Sequence, residues 1–476
     1  MNYSGKRVVI LGLARQGMAL ARYLVRAGAQ VVISDTQPAG TPSVAANLAA
    51  LGDLKIEYVL GGHPLTLLDG ADLLCLSGGV DANLPLALEA RRRGLRLSND
   101  SQILLDECPQ GATTVGITGS AGKTTTTTLV GRLLSVGLAP QPAAPSPLTR
   151  VNDTGDGQGV RIWVGGNIGH PLIADVDRMQ AGDIVVMELS SFQLEIMTRS
   201  PHVGAVLNVT PNHLDRHGTM EAYTAAKSHI LLHQLADDVA VLGLDDAGAR
   251  GFAPLVAGRV TWFSGQQAVE QGAFLRGEDI LLRWAGRESV VAPLSAIHLR
   301  GRHNALNVLA ACAIGAAAGA APDAMRAAIE AFTGVEHRLE FVRARAGVKW
   351  YNDSIASAPE RVMAALQSFE EPLVLLAGGR DKKLPWEEFA RLARTRVKHL
   401  VLFGEAADLI QRALEAAGVP RGQFTRCGPL AEAVQAAAGR AVSGDVVLLS
   451  PGGTSFDEFQ DFAERGEKFK QWVREL

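Results

Sequence analysis

The sequence predicts an α/β fold made of three consecutive domains. Short runs of Val, Ile and Leu alternate with amphipathic stretches along most of the 476 residues, and this rhythm restarts twice. Such alternation is typical of parallel strands joined by crossover helices. A chain of this length also exceeds the size at which one hydrophobic core stops growing. We therefore expect domains at residues 1–110, 111–333 and 334–476.

The apolar runs predict the strands of each domain. In the first domain we expect a helix from Gly17 and strands at residues 7–11, 30–34 and 72–76. In the second we expect strands at 113–118, 183–187, 203–209, 239–244, 259–263, 279–284 and 289–292, and in the third at 373–377, 399–403 and 445–449. The Ala/Gly-rich stretch 305–321 predicts a buried helix, since these residues give little membrane-transfer free energy. The Pro- and Gly-rich stretch 137–159 predicts a long loop.

Composition excludes several classes of protein. With 47% hydrophobic residues, 20% charged residues and a net charge of -3, the chain has no basic excess for a nucleic-acid partner. Its four cysteines are too scattered for paired zinc ligands and predict no disulfide framework. The first apolar run, at residues 8–11, is too short for an export signal. We expect a cytoplasmic protein without membrane insertion.

The strongest motif is a glycine-rich stretch that follows a β-branched run. It reads Gly-Ile-Thr-Gly-Ser-Ala-Gly-Lys-Thr at residues 116–124 and precedes a predicted helix at 125–135. Backbone N–H groups and a helix N-terminus can surround a phosphate there, with Lys123 on its oxygens and Thr124 on Mg²⁺. A glycine turn with an incidental lysine is the alternative, because Ile117 breaks the strict spacing of a phosphate loop.

Three further residues of the second domain are candidates for a metal centre. Glu188 follows an apolar run, so it either binds a metal at a strand tip or caps the next helix. His213 lies just past another apolar run, where it either binds a cation or is an ordinary surface histidine. Lys227 lies on a predicted helix, where a lysine is usually a solvated surface residue.

Taken together, these motifs resemble those of the Mur ligase family along nearly the whole chain. The matching stretches are Thr-Gly-Ser-Ala-Gly-Lys-Thr at 118–124, Gly-Gly-Asn-Ile-Gly at 165–169, Glu-Leu-Ser-Ser-Phe-Gln-Leu at 188–194, Asn-His-Leu-Asp-Arg at 212–216, Gly-Arg-His-Asn-Ala-Leu-Asn at 301–307, His-Arg-Leu-Glu at 337–340, Asn-Asp-Ser at 352–354 and Ser-Pro-Gly-Gly-Thr-Ser-Phe-Asp-Glu-Phe at 450–459. The last stretch, which continues to Arg-Gly-Glu at 465–467, resembles a glutamate-adding member.

The resemblance implies that each domain binds a different substrate. It implies a Rossmann-like domain at residues 1–110 for a UDP-linked substrate. A central P-loop ATPase-like domain at residues 111–333 would bind ATP, and a second Rossmann-like domain at residues 334–476 would bind an amino acid.

The resemblance also implies a reaction. ATP would phosphorylate the alanyl carboxylate of UDP-N-acetylmuramoyl-L-alanine, and the amine of glutamate would attack the acyl phosphate and release ADP and phosphate. A carboxylate about 4 Å from a phosphate meets a repulsion of roughly 4 kcal/mol, which bound cations would remove. The resemblance implies two Mg²⁺ ions at this site. The D form of glutamate is favoured, L-glutamate is the alternative, and a monomer is expected.

Roles for single residues follow from the resemblance. Lys227 matches a family lysine that is carbamylated by CO₂, which needs a neutral amine. The residues expected in catalysis are Lys123, His213, Lys227 and Arg338, and those expected on the metal ions are Thr124, Glu188, His213 and Lys227. The residues expected to bind ATP are Gly119, Ser120, Ala121, Gly122, Lys123, Thr124, Thr125, Asn304, Asn307, Arg338 and Asp353. The residues expected to bind the other substrates are Arg15, Gln16, Gly17, Asp35, Thr36, Asn167, Ser357, Lys382, Ser455 and Phe462.

Departures from the family pattern keep alternatives open. Ile355 stands where many members have lysine, Gln37 where some have arginine, Gly78 where proline is frequent, and Gly-Gly-Thr at 452–454 replaces a common Ala-Cys-Ala. The Ile355 and 452–454 departures flank the amino-acid site, so they leave the handedness of glutamate open. The N-terminal Gly-Leu-Ala-Arg-Gln-Gly at 12–17 could instead belong to an NAD-dependent dehydrogenase. Another amino-acid-adding ligase and a non-catalytic nucleotide-binding regulator are further alternatives.

Overall fold

The computed structural model describes residues 2–52, 54–138, 159–382 and 384–476. Most of the predicted loop at 137–159 lies outside these residues. Within them the chain forms three sheets and divides into two compact units, Met1–Ile297 with Arg302–Ala331, and His298–Gly301 with Phe332–Leu476. The predicted α/β class is confirmed, while the exact domain boundaries at 110 and 333 remain predictions.

The first sheet is parallel, with strand order β3-β2-β1-β4-β5. Its strands are β1 Arg7–Leu11, β2 Gln30–Asp35, β3 Ile56–Leu60, β4 Leu73–Leu76 and β5 Leu97–Ser98, and the helices are α1 Arg15–Arg26, α2 Pro42–Leu51, α3 Pro85–Arg92 and α4 Asp100–Glu107. Every residue of β4 is buried, as expected for a strand covered on both faces. Helix α1 begins at Arg15, two residues before its predicted start at Gly17.

The second sheet has the order β14-β13-β12-β11-β10-β9-β6-β8-β7 and is parallel except for β13, which pairs antiparallel with both of its neighbours. Its strands are β6 Thr113–Thr118, β7 Ile162–Gly166, β8 Ile184–Glu188, β9 Val203–Val206, β10 Val239–Gly243, β11 Arg259–Ser264, β12 Gly272–Arg276, β13 Asp279–Trp284 and β14 Arg287–Pro293. The helices are α5 Lys123–Leu138, α6 Ser191–Leu194, α7 Leu214–His217, α8 Met220–Ser228, α9 Ala247–Arg250, α10 Arg302–Ala317 and α11 Pro322–Ala331. Strand β9 is shorter than the predicted 203–209, because the chain turns there to contact the glycine loop.

The third sheet has the order β15-β16-β20-β17-β18-β19, with only the β15–β16 pair antiparallel. Its strands are β15 Glu340–Arg345, β16 Val348–Asn352, β17 Leu373–Gly378, β18 Val397–Phe403, β19 Phe424–Arg426 and β20 Val446–Gly452, and its helices are α12 Pro359–Leu366, α13 Glu387–Arg396, α14 Ala407–Ala416, α15 Leu430–Arg440 and α16 Phe462–Glu475. Strands β15 and β16 were not predicted, because their polar residues hide the apolar pattern. No helix of the described residues is long and apolar enough to cross a bilayer.

Candidate functional site

The glycine loop joins β6 to α5 at the carboxyl edge of the second sheet. Gly122 has φ +85°, and a Cβ there would lie 2.2 Å from Oδ1 of Asn307 on α10. A Cβ on Gly119 would lie 2.9 Å from Cβ of Leu207. Both positions therefore require glycine, since a side chain would strain or displace the backbone. The result is a tight loop that ends at the N-terminus of a long helix, a geometry that binds phosphate.

The loop is held in shape by the segment after β9. Asn208 accepts a hydrogen bond from the Ala121 N–H at 2.8 Å and donates one to the Ala121 carbonyl at 3.1 Å. The Ser120 hydroxyl donates to the Thr210 carbonyl at 2.9 Å, and the Lys123 ammonium donates to the Gly119 carbonyl at 2.8 Å. Sequence reasoning missed Asn208. Its position directly after an apolar run was the available signal, since polar residues there lie at the ligand-binding edge of the sheet.

Glu188, the last residue of β8, lies beside the start of α5. Its carboxylate accepts hydrogen bonds from the Thr124 hydroxyl at 2.8 Å and from the Asn167 amide at 3.0 Å. The side chain is only 2% exposed. The structure thus brings together three residues predicted from the sequence, and it arranges hydroxyl, carboxylate and amide groups at one point of the sheet edge.

Lys227 on α8 is buried beside the same edge. Its Nζ donates to the Thr118 hydroxyl at 3.2 Å and lies 4.6 Å from the centre of the Tyr223 ring. Burial, and then the positive charge of Lys123, lower the pKa of Lys227 to about 7. The expectation from helix pattern alone, a solvated surface lysine, is therefore wrong. A large fraction of this amine is neutral near pH 7, as carbamylation requires.

Three other predicted residues surround this site. His213 precedes α7 with a left-handed φ of 54°, and its ring meets the edge of Phe192 with centroids 5.2 Å apart. Asn307 donates to Asn304 at 2.9 Å, so the two predicted ATP contacts of α10 form one pair beside Gly122. The roles of these residues stay predictions.

The first sheet carries the loop predicted for the UDP-linked substrate. Gly12 has φ +95°, and a Cβ on Gly17 would lie 2.0 Å from the Gly12 carbonyl oxygen, so the turn is tight. Asp35 orders the same region by accepting from the Leu13 N–H at 2.8 Å. The Nε2 of Gln16 is buried and has no hydrogen-bond partner in the described part of the chain. A buried donor left unpaired is unfavourable, and a ligand acceptor would satisfy it.

Two further predicted residues mark the approach to this loop. Arg15 donates to the carbonyl of Asn167 at 3.4 Å, which links the first two sheets. Thr36 is exposed directly after β2. A Cβ on Gly78 would lie 1.9 Å from Oε1 of Gln16, so a proline at position 78 would require the Gln16 side chain to move. The Gly78 departure thus accompanies the inward position of Gln16.

In the second compact unit, the predicted glutamate-binding residues lie around the carboxyl edge of the third sheet. Lys382 donates to the Ser357 hydroxyl at 3.1 Å. Desolvation, followed by the charges of Arg361 and Arg465, lowers the pKa of Lys382. Ser455 is buried and follows β20. Phe462 opens α16, and its carbonyl accepts from the Ser354 hydroxyl at 2.7 Å, while its backbone N–H is the group that can donate to a carboxylate.

Arg338 lies between two residues with left-handed backbone, His337 at φ 62° and Leu339 at φ 45°. Asp353 holds this turn by accepting from the Leu339 N–H at 3.2 Å, and its other oxygen accepts from Ser450 at 2.8 Å. Burial raises the pKa of Asp353 to about 7. Both carboxyl oxygens of Asp353 thus have internal partners, so the structure gives it a role in shaping the Arg338 turn. The ribose contact expected of Asp353 stays a prediction.

Fold and site together define a class: a multidomain α/β protein with a phosphate-binding loop. Comparison with known proteins then identifies the family. Residues 6–98 match the Mur ligase MurD-like N-terminal domain, 117–315 the Mur ligase middle domain, and 337–453 the Mur ligase glutamate ligase domain. The chain belongs to the Mur ligase family. The family resemblance is confirmed. The N-terminal glycine loop lies in a Mur ligase domain and not in the domain of an NAD-dependent dehydrogenase.

Relatives match over almost the entire chain. A protein of Symbiobacterium thermophilum named UDP-N-acetylmuramoylalanine--D-glutamate ligase is 42% identical over 99% of this chain and 98% of its own length. Proteins of the same name from Acidobacterium capsulatum and Acetivibrio thermocellus are 39% and 38% identical, each over 99% of this chain and 97% of its own length.

Solved structures agree on the fold. The UDP-N-acetylmuramate-alanine ligase MurC of Thermotoga maritima superposes with a TM-score of 0.56 at 18% identity, covering 98% of this chain and 99% of its own. MurF of Acinetobacter baumannii also gives 0.56, at 19% identity, with coverages of 98% and 93%. The predicted architecture of three α/β domains is therefore the architecture of this family.

Proposed function

We propose that the protein is an ATP-dependent ligase that joins D-glutamate to UDP-N-acetylmuramoyl-L-alanine and releases ADP and phosphate. The observation that carries this proposal is the full-length match to relatives named for that activity, at up to 42% identity. It supports D-glutamate over the L-glutamate alternative. We assign the UDP-linked substrate to residues 1–110, ATP to 111–333 and the amino acid to 334–476.

The residues around the glycine loop fit ATP and Mg²⁺. Gly122 leaves a backbone cradle that a Cβ would fill, and α5 begins directly after it. Thr124 and Glu188 offer the hydroxyl and carboxylate oxygens that Mg²⁺ prefers, while His213 would hold a second ion through nitrogen. When bound, Mg²⁺ neutralises charge on the phosphate oxygens and stabilises the charge that develops in transfer.

The protein's own groups would prepare phosphoryl transfer to the substrate carboxylate. The loop amides and Lys123 would bind the nucleotide phosphates once the ammonium leaves the Gly119 carbonyl. Lys227 would react as a neutral amine with CO₂ and release one proton to solvent as the N–C bond forms. The resulting carbamate would be an anion that, with Thr124 and Glu188, could hold a metal ion. Arg338 would add positive charge near the γ-phosphate from its constrained turn.

The third sheet would hold glutamate through positive charge and backbone donors. The Lys382 ammonium, the Ser357 and Ser455 hydroxyls and the N–H of Phe462 would bind the side-chain carboxylate. Such groups suit an anion and disfavour an apolar amino acid, whose binding would leave them unpaired. We further propose that the enzyme acts as a monomer in the cytoplasm, where ATP is available.

The test is phosphate release from ATP in the presence of UDP-N-acetylmuramoyl-L-alanine and a panel of D- and L-amino acids. We expect release to depend on glutamate, with the D form preferred. Equal turnover with L-lysine or meso-diaminopimelate would contradict the assigned substrate. Faster turnover with L-glutamate than with D-glutamate would overturn the assigned handedness and leave the ligation chemistry intact.

A further inference from the structure

Arg465, in the first turn of α16, is a fully buried arginine with neutral partners. Its Nε donates to the Ser354 hydroxyl at 3.0 Å, and its Nη2 donates to the Ser354 carbonyl at 2.8 Å. Its Nη1 donates to the Gly453 carbonyl at 3.1 Å, and the residue is 0% exposed. One guanidinium therefore joins the loop that follows β16 to the end of β20.

The same guanidinium also lies against the end of β17. A Cβ on Gly379 would lie 2.9 Å from Nη1 of Arg465, so the guanidinium packs directly on the backbone at that residue. Strands β16, β20 and β17 are neighbours in the third sheet. Arg465 thus contacts the carboxyl ends of three adjacent strands, the edge at which parallel sheets bind ligands.

Arg465 contrasts with the other buried cation of α16. Lys470, 5% exposed, forms ion pairs with Glu340 at 3.0 Å and Glu467 at 2.7 Å. Among the described residues no carboxylate lies within ion-pair distance of Arg465, although Asp457 and Glu458 act on it from further away. Burying a charge without a close counter-ion is unfavourable, so a purely structural arginine would be expected to have a pair.

The hydrogen bonds of Arg465 lead to the proposed glutamate site. The Ser354 hydroxyl accepts a hydrogen bond from Nε of Arg465 and donates one to the Phe462 carbonyl at 2.7 Å. These hydrogen bonds hold the Phe462 carbonyl and so anchor the backbone at the start of α16, where the Phe462 N–H is assigned to glutamate. Arg465 is also close enough to Lys382 to lower the pKa of that lysine, and a bound carboxylate would relieve the repulsion between the two cations.

We infer that Arg465 is the positioning residue of the glutamate site: it holds the three loops and the Phe462 backbone in place and adds positive charge near Lys382. The inference rests on the proposed function. It assigns Arg465 no contact with the reacting atoms, so its loss should weaken glutamate binding far more than ATP binding.

The test is a steady-state comparison of wild type with R465K, S354A and the matched control K470M, with each of the three substrates varied in turn. R465K keeps the positive charge but loses the several N–H donors of the guanidinium. S354A removes only the hydroxyl that bonds to both Arg465 and the Phe462 carbonyl. We expect KM for glutamate to rise about tenfold or more in R465K and about threefold in S354A. KM for ATP and for the UDP-linked substrate should stay within about twofold. K470M should lower Tm while leaving KM for glutamate within about twofold.

The inference is overturned if R465K and S354A lose thermal stability as K470M does but keep a wild-type KM for glutamate. An equal rise of all three KM values in R465K would also overturn it, since that indicates a general loss of structure. Should R465K fail to fold, S354A decides the question by the same measurement. Wild type that releases no phosphate with glutamate would refute the proposed function itself, a result distinct from either outcome.

Discussion

The carboxyl edges of the second and third sheets carry opposite arrangements of charge. At the glycine loop, the Glu188 carboxylate faces the site and bonds to the Thr124 hydroxyl. At the third sheet, the Lys382 ammonium donates to the Ser357 hydroxyl, while the Asp353 carboxylate is buried in the Arg338 turn and burial raises its pKa to about 7. A carboxylate beside a hydroxyl suits a divalent cation, whereas an ammonium beside hydroxyls suits an anion. The same strand–loop–helix geometry thus supports two kinds of ligand.

The two lysines of these edges sharpen the contrast. Lys227 is 1% exposed and has a pKa of about 7, so it can act as a neutral nucleophile. Lys382 is exposed and donates to Ser357, so its use is as a cation. Removing each lysine should therefore damage a different step of the reaction.

The largest effect is expected for Lys227→Ala. Loss of the buried amine, and of the carbamate formed on it, should lower kcat by about a thousandfold or more, since ligands of a catalytic metal contribute several kcal/mol. Phosphate release would measure this. Bicarbonate should not restore the variant, whereas a short carboxylic acid placed in the cavity should restore part of the rate.

Lys349→Ala is a suitable control, because Lys349 is a half-exposed lysine of the second unit. Its kcat should match wild type. The carbamate proposal would be wrong if Lys227→Ala turned over at a near-normal rate. A carbonyl signal from ¹³C-bicarbonate that appears in wild type and is lost in the variant would support the proposal independently.

A smaller loss is expected for Glu188→Gln. The amide has nearly the same shape but no charge, so it can still contact Thr124 and Asn167 while binding Mg²⁺ poorly. We expect kcat to fall about a hundredfold and the Mg²⁺ concentration for half-maximal rate to rise. Glu278→Gln, at an exposed position of the same unit, should change neither value. An unchanged Mg²⁺ dependence of Glu188→Gln would separate Glu188 from the metal.

Much of the glycine-loop site could be predicted from sequence, because its residues come from short local motifs. The structure joins Thr124, Glu188 and Asn167 from three such motifs. Burial of Lys227 could not be derived from periodicity. The hydrophobic pattern of α8 does not distinguish the position of Lys227, which faces the sheet edge, from a position that faces solvent. Asn208 was missed because it lay inside the predicted strand at 203–209, and its hydrogen bonds to the Ala121 backbone form only in the folded chain.

The third sheet was harder to predict. Strands β15 and β16 contain charged and polar residues, because β15 lies at the sheet edge and is partly exposed. The importance of Arg465 depends on three loops that meet only in the folded chain. Sequence reasoning placed the Arg-Gly-Glu motif at 465–467 in the glutamate-adding pattern, but it could not tell an exposed arginine from a buried one.

Lys382→Met tests the other side of the comparison. Removing the ammonium should raise KM for glutamate about ten- to a hundredfold, the range expected for one charge-assisted hydrogen bond of about 1.5–3 kcal/mol. KM for ATP should change little, since Lys382 donates to Ser357, another residue assigned to glutamate. Lys398→Met provides the control, because Lys398 pairs with Asp445. A selective rise in KM for ATP would assign Lys382 to the nucleotide. The carboxyl edges of the second and third sheets would then not differ in the ligand that they bind.

The last prediction concerns stability. The pKa of Lys227 is about 7 in the folded protein against 10.5 as its ordinary value, so between these values the unfolded chain binds one more proton. The free energy of unfolding should therefore rise with pH across this window, by about 1.4 kcal/mol per unit, and lose this contribution as pH falls toward 7. Lys227→Met lacks the titrating group. In CO₂-free buffer, urea unfolding should show the stability advantage of Lys227→Met shrinking from pH 7.5 to 9.5. A constant difference in unfolding free energy between Lys227→Met and wild type across that range would mean that the pKa of Lys227 is not lowered. The chemical distinction between Lys227 and Lys382 would then fail.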